Sequence, residues 1–592
     1  NPQSEPDPYY EEALRRDPGD VRTNNALGLL YMKRGRIADA ERLFRAAVAR
    51  ATSNLTKARS AESLYYLGTA LKAQDRLDEA APVFARAAWD RAWYAPSHLA
   101  LAQIACARGD FAAALESVDR SISTNTLDTK ALGLKAAILR HGGQWAAAAA
   151  VAAQALAVDP LDVLAANERV LAEGRGAVRE GGLAAEALRL RMRGNVPSHL
   201  ELAADYAGAG LFPEAEAVVS RLVPEDEAAT TSPLLLYARA DWRERRGDAA
   251  GAARDRARAA RQSAAYAFPW QQEMAGILER AISRDPKDAR APYYLGNLRY
   301  DHQPDQAIAL WQKARDLDPS FATVHRNLAF GLARRPGALS AAVASQEKAV
   351  ELDSADPTLL LELDQLYEKA RVAADARLAN LTAHAETVRK KDRTIARLAR
   401  LLVEVGRDDE ALELLRANHF HVWEGEAGVH SLYVEALLRR GRTSLLAGRA
   451  AAARVDFQAA LLHPDTMEEG RRAGDDEPRV QYYLGLAQKA MGLRKESRAA
   501  FAATAAAAGE GEIRYYRGLA LVELGRKAEA AALFDALLEE GRNRRDQAEG
   551  RYLMALGLLG RGEKEAAADE LRKTLGLDPN HLGALSLLAA VS

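Results

Sequence analysis

The sequence predicts an all-α chain, a right-handed superhelical solenoid of about 13–14 helix–turn–helix repeats, some of them degenerate. Three observations lead there. Small side chains recur at a near-constant interval of about 34 residues. Glycines and Asp-Pro pairs punctuate the chain at the same interval. The length, 592 residues, is several times the ~100–200 of an ordinary domain. An array avoids that limit because each unit buries its apolar face only against its neighbours.

The first unit is marked by Leu27-Gly28-x2-Tyr31, then Ala40-x3-Phe44 and Ala47. Leu67-Gly68, Ala80 and Phe84 repeat the spacing, followed by Leu101-Ala102, Ala114 and Val118, and then by Ala136, Ala148 and Pro160. Further on the same phase carries Leu202-Ala203 with Ala215, Ala240 with Ala252, and Leu295-Gly296 with Ala307-x3-Trp311. Leu328-Ala329 and Leu363-x3-Tyr367 open weaker units, and Ala411 with Leu415 marks another. Gly441 with Phe457, Leu484-Gly485 with Phe501, Gly518 with Phe534, and Ala555 with Leu571 complete the series. The small residues belong where two helices cross, since a larger side chain would force the axes beyond about 8–10 Å. Glycines 35, 109, 143, 210, 247, 406, 492, 525 and 562 end first helices, where a left-handed residue is needed. Asp17-Pro18, Asp159-Pro160, Asp285-Pro286, Asp318-Pro319 and Asp578-Pro579 stop second helices. A long coiled coil is excluded: it needs sustained heptads and few breakers, whereas the chain has 41 Gly and 21 Pro.

The pattern divides the chain into an N-terminal array (1–162), an irregular segment (163–287), a central array (288–417), an inter-repeat insert (418–433) and a C-terminal array (434–592). The last of these ends in a closing helix from Leu582 to Val591. Breaks in the period fall at 51–60, at the glycine-rich 173–182, at 262–286 and at the charged 467–478. The break at 262–286 adds a helix and carries Phe268-Pro269-Trp270. Residues 10–18 read as the second helix of a repeat whose first helix is missing, which predicts that the chain derives from a longer polypeptide.

The paired tyrosines before the Leu-Gly position (65–66, 293–294, 482–483, 515–516) are expected to put one ring in the helix seam and the other on the concave surface. Tyr65, Tyr294, Asn297, Arg326, Tyr482 and Tyr515 are therefore the candidate partner-binding residues. Trp89, Trp93 and Tyr94 are expected to fill the groove between helices. The insert concentrates His419, His421, Trp423 and Glu424, with His430 nearby. Two alternating histidines share one side of an extended segment, and Glu424 would complete a metal set. The preferred reading is a structured loop anchored by Phe420 and Trp423, so no metal and no cofactor is expected. No Walker loop, G-x-S-x-G elbow or H-E-x-x-H motif occurs, and no catalytic residue is assigned.

Charge and composition narrow the function further. The chain has 81 basic and 82 acidic residues, a net charge of −1, which argues against a nucleic-acid binder. No apolar run approaches the ~18 residues of a membrane span. The single cysteine, Cys106, lies in an apolar helical run and is expected to be buried. A cytoplasmic location fits.

The repeat pattern resembles the tetratricopeptide-repeat superfamily. More narrowly, the segments Tyr-Glu-Glu-Ala-Leu-Arg-Arg-Asp-Pro-Gly-Asp (10–20), Ala-Pro-Tyr-Tyr-Leu-Gly-Asn-Leu (291–298), Val-His-Arg-Asn-Leu-Ala (324–329), Glu-Leu-Asp-Gln-Leu-Tyr (362–367) and Phe-His-Val-Trp-Glu-Gly (420–425) resemble the C-terminal array of large bacterial proteins with an uncharacterised N-terminal domain. That resemblance implies a β-rich, carbohydrate-active region upstream of residue 1. The expected function is a non-catalytic scaffold that binds a protein or peptide along its concave surface. The alternative is a structural or regulatory arm of a larger enzyme, with an upstream domain of the same polypeptide as its partner.

Overall fold

The structure, a computed structural model, describes residues 6–54, 59–175, 182–421, 428–470 and 477–591. Among them every regular element is a helix and none is a strand. The helices pair in sequence order. The first hairpin is Val21–Lys33 with Ile37–Thr52, the next Glu62–Ala73 with Leu77–Ala87, and the pattern runs on to Ala548–Arg561 with Lys564–Leu577. The irregular stretch after Val163 also folds as a hairpin, Val163–Glu173 with Leu183–Met192, so the array holds slightly more repeats than the sequence period suggested.

Packing at the helix crossings explains the small residues. A Cβ added at Gly28, Gly68, Gly441, Gly485 or Gly518 would lie 2.4–2.8 Å from the ring of Phe44, Phe84, Phe457, Phe501 or Phe534, each on the second helix of the same hairpin. Gly296 does the same for Trp311. Each buried phenylalanine contributes roughly 1.5–3 kcal/mol of transfer free energy, available only because the facing position is bare. Ala40, Ala80, Ala114 and Ala148 on the second helices are fully buried. Cys106 is buried as well, and burial pushes its thiol up to about 12.

The turn chemistry follows the same logic. All nine predicted turn glycines adopt left-handed φ values between +71° and +90°. Asp75 and Arg371 occupy that conformation in two turns that lack glycine. Asp17, Asp159, Asp285, Asp318 and Asp578 each cap the C-terminal end of a helix: the leading helix, the extra helix Glu273–Arg284 and three second helices. Each also turns its carboxylate onto the N–H two residues on, an Asx turn that commits the chain to leaving the helix.

The chain forms two compact units, Asn1–Ser320 and Phe321–Ser592. Among the described residues the first contains eight hairpins, a leading helix Asp7–Arg16, and the extra helix Glu273–Arg284 in the 262–286 break. It coils tightly enough that distant turns meet. Gln272 donates to the carbonyl of Lys33 and Gln303 to that of Arg34, while Asp75 pairs with Arg245 at 2.5 Å. Among the described residues the second unit has seven hairpins, two short helical turns, Ala385–Val388 and Asp465–Met467, and the closing helix Leu582–Val591.

Candidate functional site, the inner wall of the second unit

First helices of successive hairpins line a common inner wall. In the second unit Val429–Leu446, Glu477–Ala490, Glu512–Glu523 and Ala548–Arg561 converge on one small cavity. The wall side supplies Glu435, Leu438, Arg442, Arg479, Tyr483 and Tyr516. The closing helix covers the cavity with Gly583, Ser586 and Leu587. Its approach is close: a Cβ on Gly583 would lie 2.5 Å from the Tyr552 hydroxyl. The turn before it is also held, since Asn580 donates to Glu368 at 2.8 Å.

The chemistry of this wall is apolar surface around a buried ionic chain. Glu435 is 4% exposed and accepts from Arg479 at 2.8 Å and from the Ser586 hydroxyl of the closing helix. Burial alone would raise its carboxyl, but Arg479, Ser586 and Arg439 outweigh it and hold it below the usual value. Tyr552 donates to Glu512 at 2.7 Å. Burial, followed by that carboxylate, pushes the Tyr552 phenol well above its normal range. The Arg442 guanidinium lies 5.4 Å from the Tyr483 ring centre, a cation–π distance.

In the first unit, neighbouring hairpins meet through charge. Arg140 pairs with Glu168 at 2.8 Å and with Glu214 at 3.0 Å, and Tyr206 donates to Glu168 at 2.6 Å. Tyr206 also accepts from Asn167, which in turn accepts from Arg221.

The tetratricopeptide repeat family model matches residues 7–54, 25–96, 99–163 and 482–546. The chain carries tetratricopeptide repeats over these stretches. Such repeats are typically scaffolds for protein–protein interaction. Among solved structures, Naa15/Naa10 bound to HypK-THB is 13% identical, with 98% of this chain and 92% of that chain covered and a TM-score of 0.23. The APC/C hetero-tetramer Cut9-Hcn1 is 12% identical over 100% of both chains, with a TM-score of 0.21. A MamA RS-1 ArsTM double mutant is 18% identical, with 44% of this chain and 94% of that chain covered and a TM-score of 0.13. At such identities and TM-scores none of the three bears on what this chain binds. No helix among the described residues is long and apolar enough to cross a membrane.

The tetratricopeptide geometry corrects the register of the tyrosine pairs. The first ring of a pair packs on the phenylalanine of its own hairpin: Tyr65 on Phe84, Tyr482 on Phe501, Tyr515 on Phe534. The second ring packs on the preceding hairpin, Tyr66 on Phe44 and Tyr483 on Phe457. In the second unit it is Tyr483 and Tyr516 that reach the cavity, not the expected Tyr482 and Tyr515. The helical period could have shown this. The first tyrosine stands three residues before the crossing Gly, on the same face, while the second is rotated by about 200° from it.

The other candidates are also placed. Tyr294 has the inner register but is fully buried beside Tyr237, so it is core and not lining. Tyr65 stacks on Trp93 with centroids 4.9 Å apart. Asn297 accepts from the Trp311 indole at 3.0 Å, which fixes it to its own hairpin. Arg326 pairs with Glu362 on the next first helix at 2.7 Å and remains half-exposed. Of the aromatic cluster, Trp93 and Tyr94 are partly buried but Trp89 is 74% exposed, contrary to the expectation that it packs between helices. Tyr266, Phe268 and Trp270 are exposed on the 262–272 loop. In the insert, Phe420 is buried as expected, while Trp423 and Glu424 lie outside the described residues, as do residues 55–58, 176–181 and 471–476 in the other breaks.

Proposed function

We propose that the protein is a non-catalytic interaction scaffold whose second unit receives a helical segment of a protein partner on its inner wall. The observation that carries this reading is the occupant already there. The closing helix lays Gly583, Ser586 and Leu587 over Tyr552, Glu435 and the apolar wall. It supports one chemistry for the partner: an uncharged helix with a small residue for close approach and a hydroxyl for Glu435. A helix in a groove is a recurring recognition mode whose anchors repeat at i, i+3 and i+4. Gly583, Ser586 and Leu587 have that spacing.

A labelled peptide of residues 577–592 tests the reading. Full-length Leu587→Glu, with its own closing helix displaced, is expected to bind the peptide in a fluorescence-anisotropy titration. Wild type, with the wall filled, is expected to bind it far more weakly. Adding Tyr483→Ala to the released variant is expected to weaken capture again. A released variant with no affinity for the peptide would show that the wall does not receive helices.

The alternative reading makes the array a structural or regulatory arm of a larger, carbohydrate-active protein. It is supported by the resemblance of segments 10–20, 291–298, 324–329, 362–367 and 420–425 to the C-terminal arrays of large bacterial proteins. The coding sequence upstream of Asn1 decides between the two: an upstream catalytic domain favours the arm, and a start codon adjacent to Asn1 removes it.

A further inference from the structure

Outside the cavity of the inner wall, two inter-repeat loops meet in the second unit. Residues 418–421 follow the helix Asp408–Ala417, and residues 464–469 follow the helix Ala450–Ala459 of the next hairpin. Phe420 donates its N–H to the carbonyl of Thr466 at 2.8 Å. The Phe420 side chain is buried, and so is that of Met467. The alternation of extended chain then turns His419 and His421 outward on one side, with rings 4.9 Å apart. Glu468, following buried Met467, takes a left-handed φ of +49°, uncommon for a residue with a side chain. That conformation brings its carboxylate to the same place, 2.8 Å from His419 Nε2.

His419, His421 and Glu468 each offer a ligand atom, and these atoms lie within 4.8 Å of one another. Asp392 accepts from both the N–H and the Nδ1 of His421 at 3.0 and 3.2 Å. That contact leaves Nε2 as the outward ligand nitrogen and fixes the tautomer, as carboxylates do behind metal-bound histidines. From these contacts we infer that His419, His421 and Glu468 bind a divalent zinc-class cation, with Asp392 positioning His421. Two imidazoles and one carboxylate are a borderline donor set suited to zinc and unsuited to magnesium or calcium, which take oxygen ligands. Tetrahedral binding brings ligand atoms to about 3.4 Å separation, from bonds of about 2.0–2.2 Å. Exposed side chains on anchored backbone reach that by rotation. The fourth position faces solvent and takes water or a donor from a partner. The carboxylate of this set is Glu468; Glu424, which sequence proximity suggested, lies outside the described residues. The ion would staple the ends of two consecutive second helices together, adding to the Phe420–Thr466 hydrogen bond and to the buried side chains of Phe420 and Met467.

Metal-stripped full-length protein titrated with zinc chloride, against a chromophoric chelator, tests the site. Wild type is expected to hold one zinc per chain in a site that excludes calcium and magnesium, and to unfold at higher temperature with zinc than without. His421→Ala and Glu468→Gln are each expected to lower zinc affinity at least tenfold with an unchanged helical spectrum, while His302→Ala on the first unit leaves it unchanged. Equal zinc affinity in wild type and in the His419→Ala/His421→Ala double variant overturns the proposal, as does a wild type that takes up no zinc.

Discussion

In Asn1–Ser320 neighbouring first helices satisfy one another, whereas in Phe321–Ser592 they are completed by a helix from the end of the chain. The first unit joins Arg140, Glu168, Glu214, Tyr206 and Asn167 into one buried network from consecutive hairpins. The second unit has comparable buried pairs, such as Arg377 with Asp364, but its wall around Glu435 is closed by Ser586 and Leu587. The difference is one of reversibility. A network built within the repeats is broken only by unfolding them. The closing helix belongs to no hairpin, so the contrast predicts that it opens while the repeats stay folded.

The largest expected effect tests the first half of that contrast. Glu168→Ala leaves Arg140 and Tyr206 buried beside an empty site, and loss of one partner of a buried pair costs about 3–5 kcal/mol. Urea denaturation should show the loss in the transition that reports on the first unit. A loss near zero would mean that the network is not what joins those helices. Gly518→Val comes next. Its Cβ would sit 2.4 Å from the Phe534 ring, and overpacking of this kind costs about 1–3 kcal/mol, read in the melting of the second unit.

Leu587→Ala separates the units most clearly. Deleting this buried side chain costs about 2–3 kcal/mol, and hydrogen exchange should accelerate in residues 582–591 while the hairpins of both units remain protected. Uniform acceleration across the second unit would show that the closing helix is integral to the repeats. The pH dependence has a definite sign. Glu435 is held below its ordinary carboxyl value in the folded state, so its stabilising contribution is full above about pH 4.5. It is lost as pH falls through the depressed folded value, and the closing helix should loosen there first. Glu435→Gln should flatten that profile.

The smallest effect compares two turns. Arg371 and Asp75 share the left-handed conformation that glycine takes elsewhere. Arg371→Gly should stabilise by about 0.5–1 kcal/mol, measured by thermal melting, because only glycine adopts this conformation without steric cost. Asp75→Gly should not gain as much, since Asp75 holds Arg245. Equal gains would mean that the Asp75 pair contributes nothing.

The repeat was legible because its determinants are local. A bare position at Gly68 and a ring at Phe84, sixteen residues on, need only one hairpin to act on each other. The turn glycines and Asp-Pro stops act within a few residues. The helical period bears on the tyrosine register: at the cavity the second ring of each pair, Tyr483 and Tyr516, stands where Tyr482 and Tyr515 were expected. What covers the wall was not legible. Ser586 reaches Glu435 across 151 residues, and the approach of Gly583 to Tyr552 depends on how several hairpins coil together. The same holds for Glu468 beside His419. Sequence proximity suggested Glu424, but the two loops are joined by the buried Phe420 and Met467, and only stacked repeats bring these together. Composition and spacing thus determined the hairpin and its repetition, through contacts short in sequence. The filling of the inner wall and the meeting of the two loops were decided by the tertiary structure, because small rotations between hairpins accumulate over many repeats and no single repeat encodes their sum.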